Sequence, residues 1–210
     1  MRFLLPWHWC LAILAALVVA SNLAHAAVAP RILVLGDSLS AAYGLPQEAG
    51  WVALLQSRLK ARKFPYQVVN ASISGETTAG GRTRLPSLLA HYRPQVVILA
   101  LGANDGLRGL DLEQTRGNLE AMIRAAKASG ARLLLVGMKL PPNYGPAYTQ
   151  RFHALYGSLA RQHQLAFVPF LLEGLATRQD WFQADGLHPT AEAQPHILDT
   201  VWPVLEPLLR

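Results

Sequence analysis

Residues 95–100 read Gln-Val-Val-Ile-Leu-Ala, and the run Val96-Val97-Ile98-Leu99 carries no polar side chain at odd or even positions. A strand turns successive side chains to opposite faces, so an unbroken apolar run predicts a strand covered on both. Similar short runs lie at Arg31–Leu35, Tyr66–Asn70, Arg132–Val136 and Ala166–Pro169. Between them fall amphipathic segments at about 48–62, 78–91, 111–128, 146–163 and 189–207. This alternation predicts an α/β domain: a parallel, doubly wound sheet of five strands with helices on both faces. No repeat, low-complexity tract or linker interrupts it.

The amino-terminal 26 residues read differently. Arg2 precedes an apolar stretch, Leu11 to Ala20, and Ala24-His25-Ala26 is a small-x-small cleavage site. This predicts an export signal, with residues 27–210 as the working domain, periplasmic or secreted. An uncleaved anchor is the competing reading, but Pro6 and His8 interrupt the apolar stretch and leave it short of the ~20 residues a span needs. No later run is long enough to cross a bilayer. Cys10 is the only cysteine and lies inside the signal, so thiol chemistry, disulfides and cysteine-held metal are not expected. The formal net charge is +6, yet the basic residues are scattered; the one cluster, Arg58, Lys60, Arg62 and Lys63, falls at a helix end, where cations are favoured anyway. No basic stripe with interleaved aromatics points to nucleic acid.

In doubly wound folds, ligands bind beyond the carboxyl ends of the strands. Gly36-Asp37-Ser38-Leu39 follows the first strand and Ala71-Ser72-Ile73-Ser74-Gly75-Glu76-Thr77 the second. Leu101-Gly102-Ala103-Asn104-Asp105-Gly106 follows the third, and Asp185-Gly186-Leu187-His188-Pro189 precedes the last helix. These clusters are expected to converge on one rim.

Their chemistry is coherent. Ser38 is a candidate nucleophile that needs a base. His188 has the pKa to take its proton and return it to a leaving group. Asp185 is placed to orient the far ring nitrogen, although an aspartate there also suits a helix N-cap. Pro189 is expected in the first turn of the closing helix, with His188 at its mouth. The oxyanion donors are the Ser38 and Gly75 backbone N–H groups and the Asn104 amide. Turn and capping roles account for Gly75 and Asn104 taken singly, but not for their placement at successive strand ends. Asp37 and Asp105 are read as loop organisers. Ser40 stands where a G-x-S-x-G elbow needs glycine, which argues against an ordinary α/β-hydrolase.

Ser38, Gly75, Asn104 and His188, each in its block, resemble the four signature residues of the SGNH (GDSL) hydrolase family. The similarity is greatest to its exported esterase, thioesterase and lysophospholipase branch, and it extends to Leu140-Pro141-Pro142-Asn143-Tyr144-Gly145. Ala103 departs from the second glycine common in that branch, and Glu76 from its aspartate. The resemblance implies a three-layer flavodoxin-like sheet, a serine acyl-enzyme, and no metal or cofactor. It also implies small-molecule aryl esters, thioesters and lysophospholipids as substrates, and an acyl groove bordered by loops 75–81, 104–111 and 138–148. Leu107, Leu110, Leu140, Pro142 and Tyr144 are candidates for its apolar wall. A carbohydrate O-acetyl esterase on the same fold and an exported binding module are the alternatives. His91, His153, His163 and His196 lack metal-ligand spacing and are read as structural.

Overall fold

The computed structural model describes residues 29–210. The expected signal segment, 1–26, lies outside the described residues.

All five strands are parallel: β1 (Arg31–Gly36), β2 (Gln67–Asn70), β3 (Val96–Ala100), β4 (Arg132–Val136) and β5 (Ala166–Val168), in the order β2-β1-β3-β4-β5. Every residue of β3 is buried, as its unbroken apolar run requires. Helix α1 (Trp51–Ala61) packs with α6 (Gln194–Leu205) on one face; α2 (Thr78–Tyr92), α4 (Leu112–Ala128) and α5 (Pro146–His163) cover the other. This is the expected three-layer α/β sandwich.

Strand order reverses between β1 and β3, the switch point at which such sheets open a crevice. The register places Gly36 opposite Ala100, so the loops after β1 and β3 leave the sheet side by side. The edge on which the sequence clusters are expected to converge is therefore set by the β1–β3 register.

Two elements differ from the sequence reading. A short helix, α3 (Ala103–Leu107), occupies what reads as a loop; five residues are too few to show a helical period. Asn104 therefore lies in its first turn rather than ending a strand. Second, Pro189 does not open the closing helix. It bridges antiparallel to Phe182, a 3₁₀ turn spans Ala191–Ala193, and α6 starts at Gln194 with Pro195 in its first turn. Tertiary pairing overrides the local signal because Thr190 N–H donates to the Trp181 carbonyl and Gln183 N–H to that of His188. The buried Gln194 also serves α1: its Oε1 accepts the Trp51 N–H, at a helix start whose N-cap is the side-chainless Gly50.

Ile98 is fully buried at the middle of β3. Ile98→Ala should cost about 2–5 kcal/mol of unfolding free energy. Urea denaturation should show this as a lower midpoint with an unchanged slope.

Candidate active site

The β1–α1 loop leaves the sheet as a tight turn. Ser40 and Ala41 N–H groups donate to the Asp37 carbonyl, and the Asp37 carboxylate accepts the Leu39 N–H at 3.1 Å. Asp37 thus organises the turn that displays Ser38. Asn70 secures it from the side: its Nδ2 donates to the Ser40 carbonyl at 2.8 Å while its Oδ1 accepts the Ser72 N–H. The amide of the Asn70-Ala71-Ser72 sequon is therefore committed to this loop.

Ser38 Oγ lies 2.8 Å from His188 Nε2, and His188 Nδ1 lies 2.6 Å from Asp185 Oδ2. Asp185 also accepts the backbone N–H groups of Leu187 and His188. The His188 N–H, then its ring, then the Leu187 N–H hold the Asp185 carboxyl down to about 2. An ionised carboxylate only accepts, so Nδ1 carries the proton and Nε2 is left to accept from Ser38. That is the tautomer general-base chemistry requires. Asp185 does not cap a helix; the loop turn and the ring orientation are the work of one carboxylate.

Gly75 has φ +79°, whereas a Cβ there would meet only the Arg108 guanidinium, at 3.6 Å. Backbone conformation, not crowding, is what requires glycine. Arg108 donates to the Gly75 carbonyl at 3.0 Å, and Asn104 Nδ2 donates to that of Glu76 at 3.0 Å. One Asn104 N–H is used this way; the amide carries a second. Beneath them, the buried Asp105 carboxylate accepts both the N–H and the hydroxyl of Thr78, the first residue of α2. It caps a helix start from a neighbouring element, and so ties the Gly75 loop to the Asn104 turn. The methyl of Ala103 is accommodated as the buried first residue of α3. Glu76 reaches Arg84 in an ion pair at 2.7 Å.

A cavity of about 880 Å³ opens at this edge, and Ser38, Gly75, Asn104 and His188 all line it. Of the groove candidates, Leu107, Leu140 and Pro142 form part of its wall; Leu110 and Tyr144 do not. Tyr144 instead turns its hydroxyl to the Leu107 carbonyl, and Leu110 is exposed on the rim. The far wall, which sequence reasoning missed, includes Phe170, Leu172, Ala176 and Phe182, from a segment with no helical or strand period.

Gln183 was also invisible in the sequence. Its Nε2 donates to the carbonyls of Tyr43 at 2.9 Å and Pro189 at 3.1 Å, stapling the serine loop to the histidine loop. Tyr43 lays its ring against the imidazole of His188, with centroids 4.4 Å apart. No spacing rule reports such contacts between distant loops. Among the described residues, no group of three or more His, Cys, Asp or Glu side chains is arranged to hold a metal ion.

A family model described as the GDSL-like lipase/acylhydrolase family matches residues 34–194, from the middle of β1 to the start of α6. The chain belongs to that family. It is 54% identical over 187 residues to esterase TesA of Pseudomonas aeruginosa, covering 89% of this chain and 93% of the relative. It is 42% identical to thioesterase 1/protease 1/lysophospholipase L1 of Escherichia coli K12, over 88% of each chain. Among solved structures, the psychrotrophic esterase EstA from Pseudoalteromonas sp., inhibited by monoethylphosphonate, superposes with a TM-score of 0.82 at 41% identity. That alignment covers 85% of this chain and 98% of the esterase.

Asp37 carries a testable electrostatic signature. Burial raises its carboxyl from 3.8 to about 6, opposed in part by the Leu39 N–H and by His188. Below 3.8 the group is protonated folded and unfolded alike. As pH climbs toward 6 the unfolded chain ionises first, so Asp37 removes stability as pH rises through that window. Asp37→Asn should lack this slope. The stability difference between the two proteins should move by up to about 3 kcal/mol between about pH 4 and about pH 7, in the variant's favour. A difference that stays constant in urea titrations across that range would show that Asp37 ionises normally inside the fold.

Proposed function

We propose that this chain is a serine hydrolase that cleaves carboxylic ester and thioester bonds through an acyl-enzyme on Ser38. The observation that carries the reading is the continuous Asp185–His188–Ser38 hydrogen-bond chain opening into an apolar-walled cavity. Ser38 Oγ attacks the acyl carbonyl as its proton passes to His188 Nε2. Asp185 stabilises the imidazolium that forms. The Ser38 and Gly75 N–H groups and the free Asn104 N–H hold the developing oxyanion. Collapse of the tetrahedral adduct expels the alcohol or thiol, which takes the proton from His188. Water then enters, gives a proton to His188 and attacks the acyl-serine; the acid leaves as Ser38 recovers that proton. Every group required belongs to the chain, so the scheme calls for no cofactor.

The names of the relatives and the apolar wall support aryl esters, acyl thioesters and lysophospholipids as the substrate classes. An O-acetyl esterase acting on sugars would leave that wall without an apolar partner. A binding module would not need the hydrogen-bonded serine, histidine and aspartate. We further propose that the chain acts outside the cytoplasm, in the periplasm or secreted, after cleavage following Ala26. Among the described residues no helix is long and apolar enough to cross a membrane.

Ser38→Ala should abolish turnover while leaving the urea midpoint in place, and a fluorophosphonate should form a covalent adduct on Ser38 of the parent protein. Absence of the adduct, with near-normal activity in Ser38→Ala, would end the reading. Asn104→Ala should lower kcat by roughly 10²–10³. An unchanged kcat would remove that amide from the oxyanion site.

A further inference from the structure

Large apolar side chains stay exposed at four positions among the described residues: Tyr43 at 50%, Ile73 at 47%, Leu110 at 41% and Leu187 at 45%. They come from four different loops, and all four loops lie at the carboxyl edge of the sheet, around Ser38. Scattered exposed leucines need no explanation, but exposure confined to one end of a molecule does.

Substrate contact within the cavity accounts for half of them. Tyr43 and Leu187 line the cavity, whereas Ile73 and Leu110 lie outside its wall. Nor are these side chains exposed because their loops are loose. Ile73 N–H donates to the Gly36 carbonyl at 3.1 Å, and Leu187 N–H to Asp185 Oδ1 at 2.9 Å. Leu110 is held at both ends: its N–H donates to the Asp105 carbonyl at 2.9 Å and its carbonyl accepts the Tyr148 hydroxyl at 3.1 Å. The backbone fixes each side chain outward around the cavity mouth.

Charge selects the partner. At this edge ionic groups are largely engaged locally: Lys139 with Glu173, Arg178 with Asp180, Asp185 with His188, and Arg108 on the Gly75 carbonyl. The basic surplus lies at the opposite edge, where the helices end: Lys60, Arg62 and Lys63 at α1 and Arg161 at α5, beside Arg58, which pairs with Asp199, and Lys127, which donates to the His163 carbonyl. An anionic surface would pull that far end toward itself and turn the cavity away. A neutral, zwitterionic surface leaves apolar contact to decide the orientation.

We infer that Tyr43, Ile73, Leu110 and Leu187 form a ring that seats the enzyme on a zwitterionic lipid surface, a phosphocholine-type micelle or bilayer. The seat is continuous with the cavity mouth, so a single-chain acyl ester held in the surface enters tail and carbonyl together. This inference rests on the esterase reading above for its purpose, but not for its test.

The binding test uses Ser38→Ala protein purified after export, so that no lipid is consumed. Ile73→Gln and Leu110→Gln are added together and compared with that parent, which shares the same amino terminus. The parent should cosediment with phosphatidylcholine vesicles to the same extent at low and high salt. The double substitution should weaken this about tenfold, as expected for two half-exposed aliphatic side chains that no longer gain burial. In the active enzyme, the same pair should leave kcat/KM on a soluble short-chain aryl ester unchanged and lower it about tenfold on micellar lysophosphatidylcholine. Equal vesicle binding by parent and double variant would overturn the inference. So would binding that needs phosphatidylglycerol and disappears in salt, which would make the basic far end the seat. A dimer that dissociates on double substitution, with vesicle binding unchanged, would assign the ring to a second copy of the chain instead. If the active enzyme cleaves neither ester, the esterase reading fails while the vesicle measurement still decides the seat.

Discussion

The parallel pairing of β1 with β3 is the constraint on which the rest of this structure depends. β1 has β2 on one side and β3 on the other, so the chain folds outward in both directions from it. With Gly36 level with Ala100, the serine turn and the α3 turn emerge together at the point where the order reverses. The strands there are buried on both faces, so the register resists slippage: a one-residue shift would exchange which side chains face each helical layer. The position of Ser38 relative to Asn104 inherits that resistance.

Buried carboxylates extend the constraint outward. Asp105 satisfies the first N–H of α2 and the hydroxyl of Thr78, and so makes the Gly75 loop and the Asn104 turn one unit. Asp37 does related work within the serine turn, at an electrostatic cost that burial makes evident in its raised pKa. Two adjacent loops of the candidate site are thus ordered by buried carboxylates that accept from the loops' own backbone and hydroxyl groups. The histidine side is held differently. Asp185 shapes its own turn and the imidazole together, while Gln183 ties that turn to the serine loop through main-chain carbonyls. Each of these four side chains bonds main-chain groups, which holds Ser38 and His188 in a rigid frame.

The cavity above this frame is mainly apolar. Leu140, Phe170 and Leu172 wall it, Ser38, Asn104 and His188 stand where the reacting bond would lie, and Lys139, Gln179 and Gln183 add polar groups elsewhere on the lining. Such a division favours a substrate with a long apolar acyl part and a polar junction at the bond to be broken. The apolar ring at the mouth continues the same gradient to the surface, and the basic residues gathered at the helix ends lie away from it. Shape, wall and rim favour substrates drawn from an assembled lipid phase as readily as from solution.

Much of this was legible in the chain itself, for identifiable reasons. The apolar run at 96–99 dictated a doubly covered strand, and the strand–helix alternation dictated a parallel sheet, because both are local periodicities. The blocks around Ser38, Gly75, Asn104 and His188 were legible because each is a compact cluster at a strand end or before the last helix. What stayed hidden depends on distant segments meeting. The α3 turn is too short to carry a period. Pro189 was drawn from the helix into a bridge by Phe182, which its own neighbourhood does not reveal. Leu110 and Tyr144 read as groove residues because they lie in the loops expected to border it, but the Leu107 carbonyl takes the Tyr144 hydroxyl and the Leu110 side chain stays exposed on the rim. Arg108, Gln183 and the wall at 170–182 serve the site through contacts across loops, which no spacing records. The sequence alone was enough to point to serine ester hydrolysis and to the carboxyl edge as its expected place, because those follow from residue type and from the strand–helix alternation along the chain. Only the tertiary structure decided which apolar residues line the cavity and which face outward, because burial is settled by the other loops packed around them.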